Sequence, residues 1–531
     1  MSTTSSPSEN LLPSNSGAGR CRIALVISCL LFLNFFYFLF SSGRVRTIDE
    51  VSAAFQVESL AKHGTAAIPQ AVEAKMFYGT FDRFGRPESP YPPGQALVML
   101  PWYAAGQFVG KHMPGVPPNL RDVVSDFFLT GESAFFSAVA AALALLIFLQ
   151  IGIEPKISLM AAGILALATP LAAYSGWLFS EPLAAALLLG AAAVLFPGPD
   201  APRASDAIDS TRVVGHAFRH DIEGAAKGIL TPGFLRALGS GALLGAAIWV
   251  RPTHVIAVPI FLMALYLRER EKGWTAAAAL AFAAGAFVIL LLWRNAYLHG
   301  SPFEFGYPSA AEGGKALNTF QTPLATGLLG FLVSPGKSIF LYSPPILLAF
   351  LGLPRLWRRD RGLAFVAAAA PIVYVLFFAT YTQWEGGYCY GPRYLVPALA
   401  LLGLGVGPAL EGASRNTRIL AIAAFVAGFF VQAIGSATSF LEADVAGGYY
   451  DAQYNYRMNF SPIAMHIHLL LHYATSDTAP LGRGFDKWWV FLSKAGVSIG
   501  AIWILACALL FAGVASLWWL QKEYSSDQIR V

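Results

Sequence analysis

Charge is what this sequence is short of. Only 13% of its 531 residues are Asp, Glu, Lys or Arg, and the formal net charge is +5. A chain of that length with 56% hydrophobic residues and a mean hydropathy of +0.55 holds more apolar side chain than soluble domains can hide. Disordered, secreted and nucleic-acid-binding classes are excluded on the same ground, because the small positive excess is what basic residues at cytoplasmic helix ends supply. Cysteine is scarcer still: Cys21, Cys29, Cys389 and Cys507. Of these only Cys389 falls in a segment expected outside the membrane, so no disulfide framework is available. Zinc-type cysteine spacing, a haem attachment motif and a phosphate-cradling glycine-rich loop are all missing, and no soluble nucleotide cofactor is expected. His468 and His472 share a helix face near His466, yet no adjacent acid completes a familiar ligand set. No metal site is assigned, and a divalent ion is left open as a cofactor.

What the chain has in abundance is apolar runs. Residues 1–22 are expected to be a disordered cytoplasmic tail, Ser-, Asn- and Pro-rich and closed by Arg20 and Arg22. Residues 23–41 read as a retained anchor, long enough to span and without a small-residue cleavage site. Further spans are expected at 123–150, 157–177, 181–196, 237–251, 253–267, 274–293, 338–356, 363–381, 394–410, 418–438 and 489–519. The expected fold is therefore an all-α polytopic membrane protein of about twelve transmembrane helices, with surface-lying helices in the first external loop. That loop covers 42–122, is broken by Tyr91-Pro92-Pro93-Gly94, and holds an apolar run at 95–109 that would re-enter the membrane. Residues 23–438 form the core unit; 439–531 supply a second long external loop, the last span and a cytoplasmic tail.

Alternation of basic residues supports this count. Lys156, the 197–236 loop, Arg268 to Arg270, Arg355 to Arg361, Arg415, Arg418 and the C-terminal tail all fall on one side, the pattern of cytoplasmic loops. Both termini are then cytoplasmic. The opposite face collects Ser180-Glu181-Pro182, Arg251-Pro252-Thr253-His254, residues 294–337, Trp384 to Tyr394 and the 440–487 loop. Arg44, Arg46, Lys62, Lys75, Arg83, Arg86, Lys111 and Arg121 lie in the first external loop, against the usual charge bias. Long loops escape that bias; equally, these cations fit a surface for an anionic head group.

The most informative stretch is Arg44-Val45-Arg46-Thr47-Ile48-Asp49-Glu50. Thr47 and Glu50 have the spacing of a capping box, so a helix is predicted to start here and to end near His63-Gly64. Asp49 and Glu50 fit first-turn acids matched to the helix dipole. They also fit a carboxylate pair at a membrane surface, with Arg44 and Arg46 able to hold a phosphate the acids would repel.

Taken together, Asp49-Glu50 after the first span, Tyr91-Pro92-Pro93-Gly94, Ser180-Glu181-Pro182, Arg251-Pro252-Thr253, Gly300 to Tyr307, Ser334-Pro335-Gly336-Lys337 with Tyr342-Ser343-Pro344, and Trp384-Glu385-Gly386-Gly387 running into Gly391-Pro392-Arg393-Tyr394 resemble the bacterial protein O-mannosyltransferase-like membrane glycosyltransferases, to which the lipid A aminoarabinose transferase is related. The likeness runs from about residue 40 to about 410 and rests on motif order and spacing. It implies a C-type glycosyltransferase fold in the bacterial inner membrane. The implied reaction passes a hexose or pentose from a polyprenyl-phosphate-linked donor to an acceptor hydroxyl on the external face, the acceptor being a glycan, lipid or protein. Loops 197–236 and 440–487 carry no part of the likeness.

The chemistry of the residues is compatible with that reaction. Polyprenyl phosphate is already a reasonable leaving group, so the protein must hold the phosphate charge and take one proton. A glycosidase needs two carboxyl groups flanking the bond, which neighbours on one helical turn do not supply alone. Inverting transfer is expected, with Asp49 as base and Glu50 in the cap or at the acceptor. Arg251, Arg393, Lys75 and Lys337 are the candidate phosphate ligands; Arg251 and Arg393 fit interfacial anchors as well. Tyr78, Tyr91, Trp384 and Tyr388 are candidate sugar contacts, though interfacial belts favour the same residue types. Glu181 is a candidate second acid, or a first-turn acid before Pro182. Two rival classes share part of this pattern. A transporter would show matched broken helices in two halves, and no internal repeat is found. A non-catalytic partner in envelope assembly would look much the same as the enzyme.

Overall fold

A computed structural model of the chain describes residues 15–112, 121–198, 231–269, 273–307, 319–446, 455–475, 485–490 and isolated positions between 498 and 518. Among the described residues the apolar runs have become helices, as an environment that offers no water to backbone amides requires. Seven helices among the described residues are long and apolar enough to cross a membrane, and the protein is an all-helical polytopic membrane protein. In chain order the helices are α1 (Asn15–Leu39), α2 (Ile48–His63), α3 (Pro69–Glu73), α4 (Gly94–His112), α5 (Arg121–Gln150), α6 (Pro155–Leu167), α7 (Pro170–Tyr174), α8 (Glu181–Leu195), α9 (Pro232–Val250), α10 (Ala257–Glu269) and α11 (Trp274–His299). They continue as α12 (Leu324–Val333), α13 (Ile339–Tyr342), α14 (Ile346–Arg359), α15 (Arg361–Ala379), α16 (Val396–Leu402), α17 (Val406–Leu410), α18 (Arg415–Ala437), α19 (Phe440–Ala446) and α20 (Pro462–Thr475).

Several expected spans are interrupted. The run at 157–177 breaks at Thr169-Pro170 into α6 and α7, and the run at 338–356 breaks at Ser343-Pro344-Pro345 into α13 and α14, because proline cannot continue the ladder. The run at 253–267 opens with a 3₁₀ turn over Pro252–Ile256 before α10. Helix α1 begins at Asn15, inside the segment expected to be a tail; residues 1–14 of that tail, 199–230 of the 197–236 loop and most of the last expected span lie outside the described residues. The run at 95–109 does not dip and return. It is one continuous helix, α4, running antiparallel to the first half of α5: Trp102 meets Gly131, Gly106 the Ser125 backbone and Gly110 Arg121.

Burial is concentrated where small residues let backbones approach, the packing mode that serves helices in lipid. A Cβ on Gly352 of α14 would run into the Gly405 carbonyl, and one on Gly241 of α9 into that of Leu280 on α11. The main core runs through α5, α6, α8, α9, α10, α14, α15 and α16. A second cluster packs α1 on α5 and α6, with Cys29, Leu33 and Tyr37 buried; a third joins α2 and α4 to α5 through Val57, Met99, Tyr103 and Leu129. Outward faces stay apolar, with Phe282 73% and Ile289 69% exposed on α11, which is what lipid contact demands.

The two ends of the bundle differ in chemistry. At one end meet the basic connections that the alternation placed together: Arg359 donates to the Ile151 carbonyl at the end of α5, Arg268 to that of Pro197 beyond α8 and, at 3.3 Å, to Asp360, and Arg355 to that of Pro408. At the other end lie the start of α2, a two-stranded hairpin of Thr80–Phe81 (β1) and Pro87–Glu88 (β2), and the loops before α8, after α9 and before α16. The hairpin is fixed to α11 by Arg83, whose amide donates to the Leu298 carbonyl, and by Glu88 paired with Arg294 at 2.8 Å.

Candidate functional site

The second end of the bundle encloses a cavity of about 440 Å³. Its charged lining is Arg46, Asp49, Arg251, Glu385 and Arg393, set among Tyr78, Tyr91, Tyr307, Tyr381, Tyr388 and Tyr394.

Asp49 is presented by the first turn of α2, and the expected capping box fixes that turn. The Glu50 amide donates to Thr47 Oγ1, and the Thr47 and Arg46 amides donate to Glu50 Oε2 at 2.9 and 3.0 Å. Glu50 Oε1 accepts the Leu178 amide at 3.0 Å, which ties the start of α2 to the turn before α8. Glu50 is thus fully buried and is not part of the cavity wall. It holds backbone in place, while Asp49, one position earlier, turns outward with 27% of its side chain exposed.

Opposite Asp49 stand two arginines. Arg251 follows the last turn of α9, held extended by the Pro252 after it. Arg393 opens the 3₁₀ turn ahead of α16 and reaches back over the Trp384–Pro392 loop. Glu181, the first residue of α8, accepts from both with one oxygen, Oε1: 2.9 Å from Arg251 Nη1 and 2.8 Å from Arg393 Nε. Arg393 Nη1 then meets Asp49 Oδ2 at 2.6 Å, and the Tyr91 hydroxyl donates to Asp49 Oδ1 at 2.5 Å. The result is one chain of charge, Arg251 to Glu181 to Arg393 to Asp49, ending on a phenol. Removing Glu181 would leave the buried Arg251 without its counter-ion, and removing Arg393 would take a partner from both carboxylates.

Aromatic faces complete the arginine environment. The Arg393 guanidinium lies 4.0 Å from the centre of the Phe179 ring and that of Arg251 5.1 Å from Tyr394, within range of cation–π attraction. Burial alone would raise the Asp49 pKa. Arg393, the Tyr91 hydroxyl and Arg251 outweigh it and hold the carboxyl below its ordinary value. Tyr91 is pushed the other way, by burial first and then by the Asp49 charge, and so keeps its proton to donate. Glu385 lies in the same wall with its carboxyl raised by burial, against the attraction of Lys337.

Of the residues expected in the site, the structure brings Asp49, Arg251, Arg393, Tyr78, Tyr91 and Tyr388 to the cavity wall. Glu181 sits behind it, 3% exposed, holding the two arginines rather than facing a ligand. Three others are elsewhere. Lys75 is exposed at the end of α3, outside the wall, because the chain turns there through a left-handed residue. Lys337 is buried behind the Trp384–Pro392 loop, its ammonium donating to the Cys389 carbonyl and Sγ, both at 3.2 Å. Trp384 is 2% exposed against Phe331 and Gly330 and does not line the cavity.

Of the cations expected across the first external loop, Lys75, Arg83 and Lys111 are exposed, whereas four others are paired with acids. Lys62 pairs with Glu58 and Asp122, Arg86 with Asp82, and Arg44 and Arg46 with Asp486. His466 is buried against Thr438 Oγ1 at 2.8 Å, while His468 and His472 are exposed; among the described residues no three metal-ligating side chains come together. Glu385, Tyr307, Tyr381 and Tyr394 were not expected as lining residues, although all but Tyr381 stood inside quoted motifs. Asp486 was not expected either, and its Gly-Phe-Asp-Lys-Trp-Trp surroundings carry no periodic signal.

Among known proteins, the chain matches no family model and no curated protein. It is similar to the solved structure of ArnT from Cupriavidus metallidurans bound to undecaprenyl phosphate, at 15% identity and a TM-score of 0.42, with 96% of this chain and 78% of that one covered. The apo state of the same protein gives 15% identity and a TM-score of 0.44 over the same shares. The apo Archaeoglobus fulgidus oligosaccharyltransferase is similar at 12% identity and a TM-score of 0.45, over 78% of this chain and 55% of that one.

Proposed function

We propose that the protein is a membrane glycosyltransferase of the C-type class that moves a sugar from a polyprenyl phosphate to an acceptor hydroxyl, with inversion, at the end of the bundle that holds Asp49. The observation that carries this reading is the charge chain around the cavity: a carboxylate held ionised beside two arginines, in a wall rich in tyrosine. Paired arginines suit a phosphate, and phenols suit a sugar by stacking and hydrogen bonding. The bundle sets that wall at the head of apolar helices, where a lipid phosphate arrives with its chain still in the membrane.

In the step we propose, the acceptor oxygen attacks the anomeric carbon from the face opposite the phosphate. The bond from that carbon to the phosphate oxygen breaks, and its electron pair stays with the polyprenyl phosphate. The acceptor proton passes to Asp49. Each carboxylate oxygen keeps an acceptor site beyond the contact it already makes with Tyr91 or Arg393, so the group is not spent. A base with a depressed pKa serves because the hydroxyl becomes acidic as its oxygen bonds to carbon. Arg251 and Arg393 neutralise the phosphate charge that grows as the bond breaks, and Glu181 keeps the two guanidinium groups in register. The site faces the periplasm of a bacterial inner membrane in this reading, with both termini in the cytoplasm.

The test is to incubate the purified protein with a panel of polyprenyl-phosphate sugars and follow release of free sugar, since slow hydrolysis needs no acceptor. Turnover of one donor would fix reaction class and donor together. No turnover of any, alongside solute uptake into sealed vesicles, would replace the reading with a transporter.

A further inference from the structure

Arg46 is the cavity-lining cation that the charge chain leaves out. It precedes the α2 cap, its side chain is 9% exposed, and it shares the wall with Thr47 and Asp49. Its Nη2 is engaged by Asp486, which also takes Arg44 Nη2 at 3.0 Å. Asp486 belongs to a segment, Phe485 to Val490, that is bonded down beside the end of α1. The Asp486 amide donates to the Ala437 carbonyl, the Trp488 amide to that of Ser41, and the Lys487 ammonium to that of Phe40. Asp486 is therefore a fixed counter-ion, 1% exposed, delivered from the far end of the chain.

The remaining donors of Arg46 have no such arrangement. Nε and Nη1 are both buried and have no hydrogen-bond partner among the described residues. A guanidinium N–H cut off from water and left unpaired is costly, so an acceptor that arrives there gains a contact the folded protein does not supply. Arg393 has given Nε and Nη1 to carboxylates, and Arg251 its Nη1. Arg46 keeps Nε and Nη1 without a partner; they lie on either side of its Cδ, so they are two separate donors and not one fork.

We infer that Arg46 is a third phosphate ligand of this cavity, donating to the phosphate of a polyprenyl phosphate through Nη1, with Asp486 as the positioning residue that holds the neighbouring Nη2. The inference rests on the reading of the cavity as a lipid-phosphate site and adds a residue and its support to it. The counter-ion behind the arginine also explains why a long external loop ends in a buried acid that touches nothing in the cavity itself.

The test uses the full-length protein in nanodiscs and three probes: undecaprenyl phosphate, undecaprenol and inorganic phosphate, with binding followed by tryptophan fluorescence. Wild type is expected to prefer the phosphorylated lipid over the alcohol. Arg46→Gln should weaken undecaprenyl phosphate by about tenfold or more and leave undecaprenol unchanged, and Arg46→Lys should recover part of the loss by restoring charge without the fixed direction of the guanidinium donors. Asp486→Asn should weaken the same lipid by a smaller factor, since the arginine stays but its orientation loosens. Wild-type binding by Arg46→Gln, or an equal loss for both lipids, would overturn the assignment while leaving the cavity's reading intact. If wild type does not distinguish phosphate lipid from alcohol, the reading of the cavity fails and the inference with it. Inorganic phosphate binding as tightly as the lipid would overturn the lipid source.

Discussion

Asp49 and Arg393, 344 residues apart in sequence, meet at 2.6 Å, and that contact joins the first turn after the first span to the loop before α16. The pair has a definite pH signature. Because the Asp49 carboxyl is held below its ordinary value of 3.8, its contribution to stability is fully present above the unfolded value and is lost as pH falls through the lower, folded one. Activity that needs ionised Asp49 should therefore stay level from neutral pH down to about pH 4 and fall only below it. A pH–rate profile for donor hydrolysis checks this; an acid limb near neutrality would assign the base to another group. Asp49→Asn should cost a factor on the order of a hundred or more in turnover while undecaprenyl phosphate binding is kept.

Arg393 is the joint of the chain, with Asp49 on one side and Glu181 on the other. Truncation to alanine leaves Asp49 without its ion pair and Glu181, 3% exposed, with Arg251 alone, and should destabilise the protein by roughly 3–5 kcal/mol. Arg393→Lys restores charge but not two separated donor directions, so it should recover only part. Apparent melting temperatures in one detergent, measured with Arg251→Ala alongside, check the order: the Arg251 change breaks a single contact to Glu181 and should be milder.

How much of this was legible depends on the distance over which each feature is written. The capping box spans Thr47 to Glu50, four residues, and was readable because a helix start is decided locally. The long apolar runs and the basic turns between them were readable for the same reason. Counter-ions were not. Glu181 with Arg251 and Arg393, and Asp486 with Arg46, are pairings between segments that meet only once the bundle is packed, and nothing near Asp486 in sequence marks it. Lys337 shows the converse: Ser334-Pro335-Gly336-Lys337 looked like part of the site, but the chain turns its side chain into the protein beneath Cys389. Charge type at an end of a span is thus visible, whereas which charges face a ligand and which face each other is not.

Glu50 offers a test that separates support from chemistry. Its two oxygens both accept backbone amides, Oε2 from Arg46 and Thr47 and Oε1 from Leu178. Glu50→Gln places an amide donor against one of these N–H groups, so even this conservative change should destabilise by about 1–3 kcal/mol. Thermal unfolding is the measurement, read beside turnover per folded molecule. If Glu50 acts only as support, activity normalised to the folded fraction stays close to wild type; a catalytic loss larger than that of Asp49→Asn would exchange the roles of the two acids.

The last prediction concerns Cys389, which lies in the Trp384–Tyr394 segment expected outside the membrane and would be a natural target for an impermeant thiol reagent. The folded structure argues otherwise. Cys389 is fully buried, and its Sγ is 3.2 Å from the Lys337 ammonium. Burial pushes the thiol pKa up; Lys337 and Arg393 oppose that without reversing it, so little thiolate is present at neutral pH. An impermeant maleimide added to intact cells should leave Cys389 unlabelled, and permeabilising the cells should change nothing. Labelling should appear only on denaturation. Sidedness must instead be read from an exposed position at the same end of the bundle. Phe84, at the tip of the hairpin and 50% exposed, serves: Phe84→Cys in a Cys389→Ser background should label from outside if that end faces the exterior. Labelling of Phe84→Cys only after permeabilisation would turn the cavity toward the cytoplasm and remove the periplasmic assignment, while rapid labelling of native Cys389 would show that the loop carrying Arg393 opens far more than its buried contacts allow.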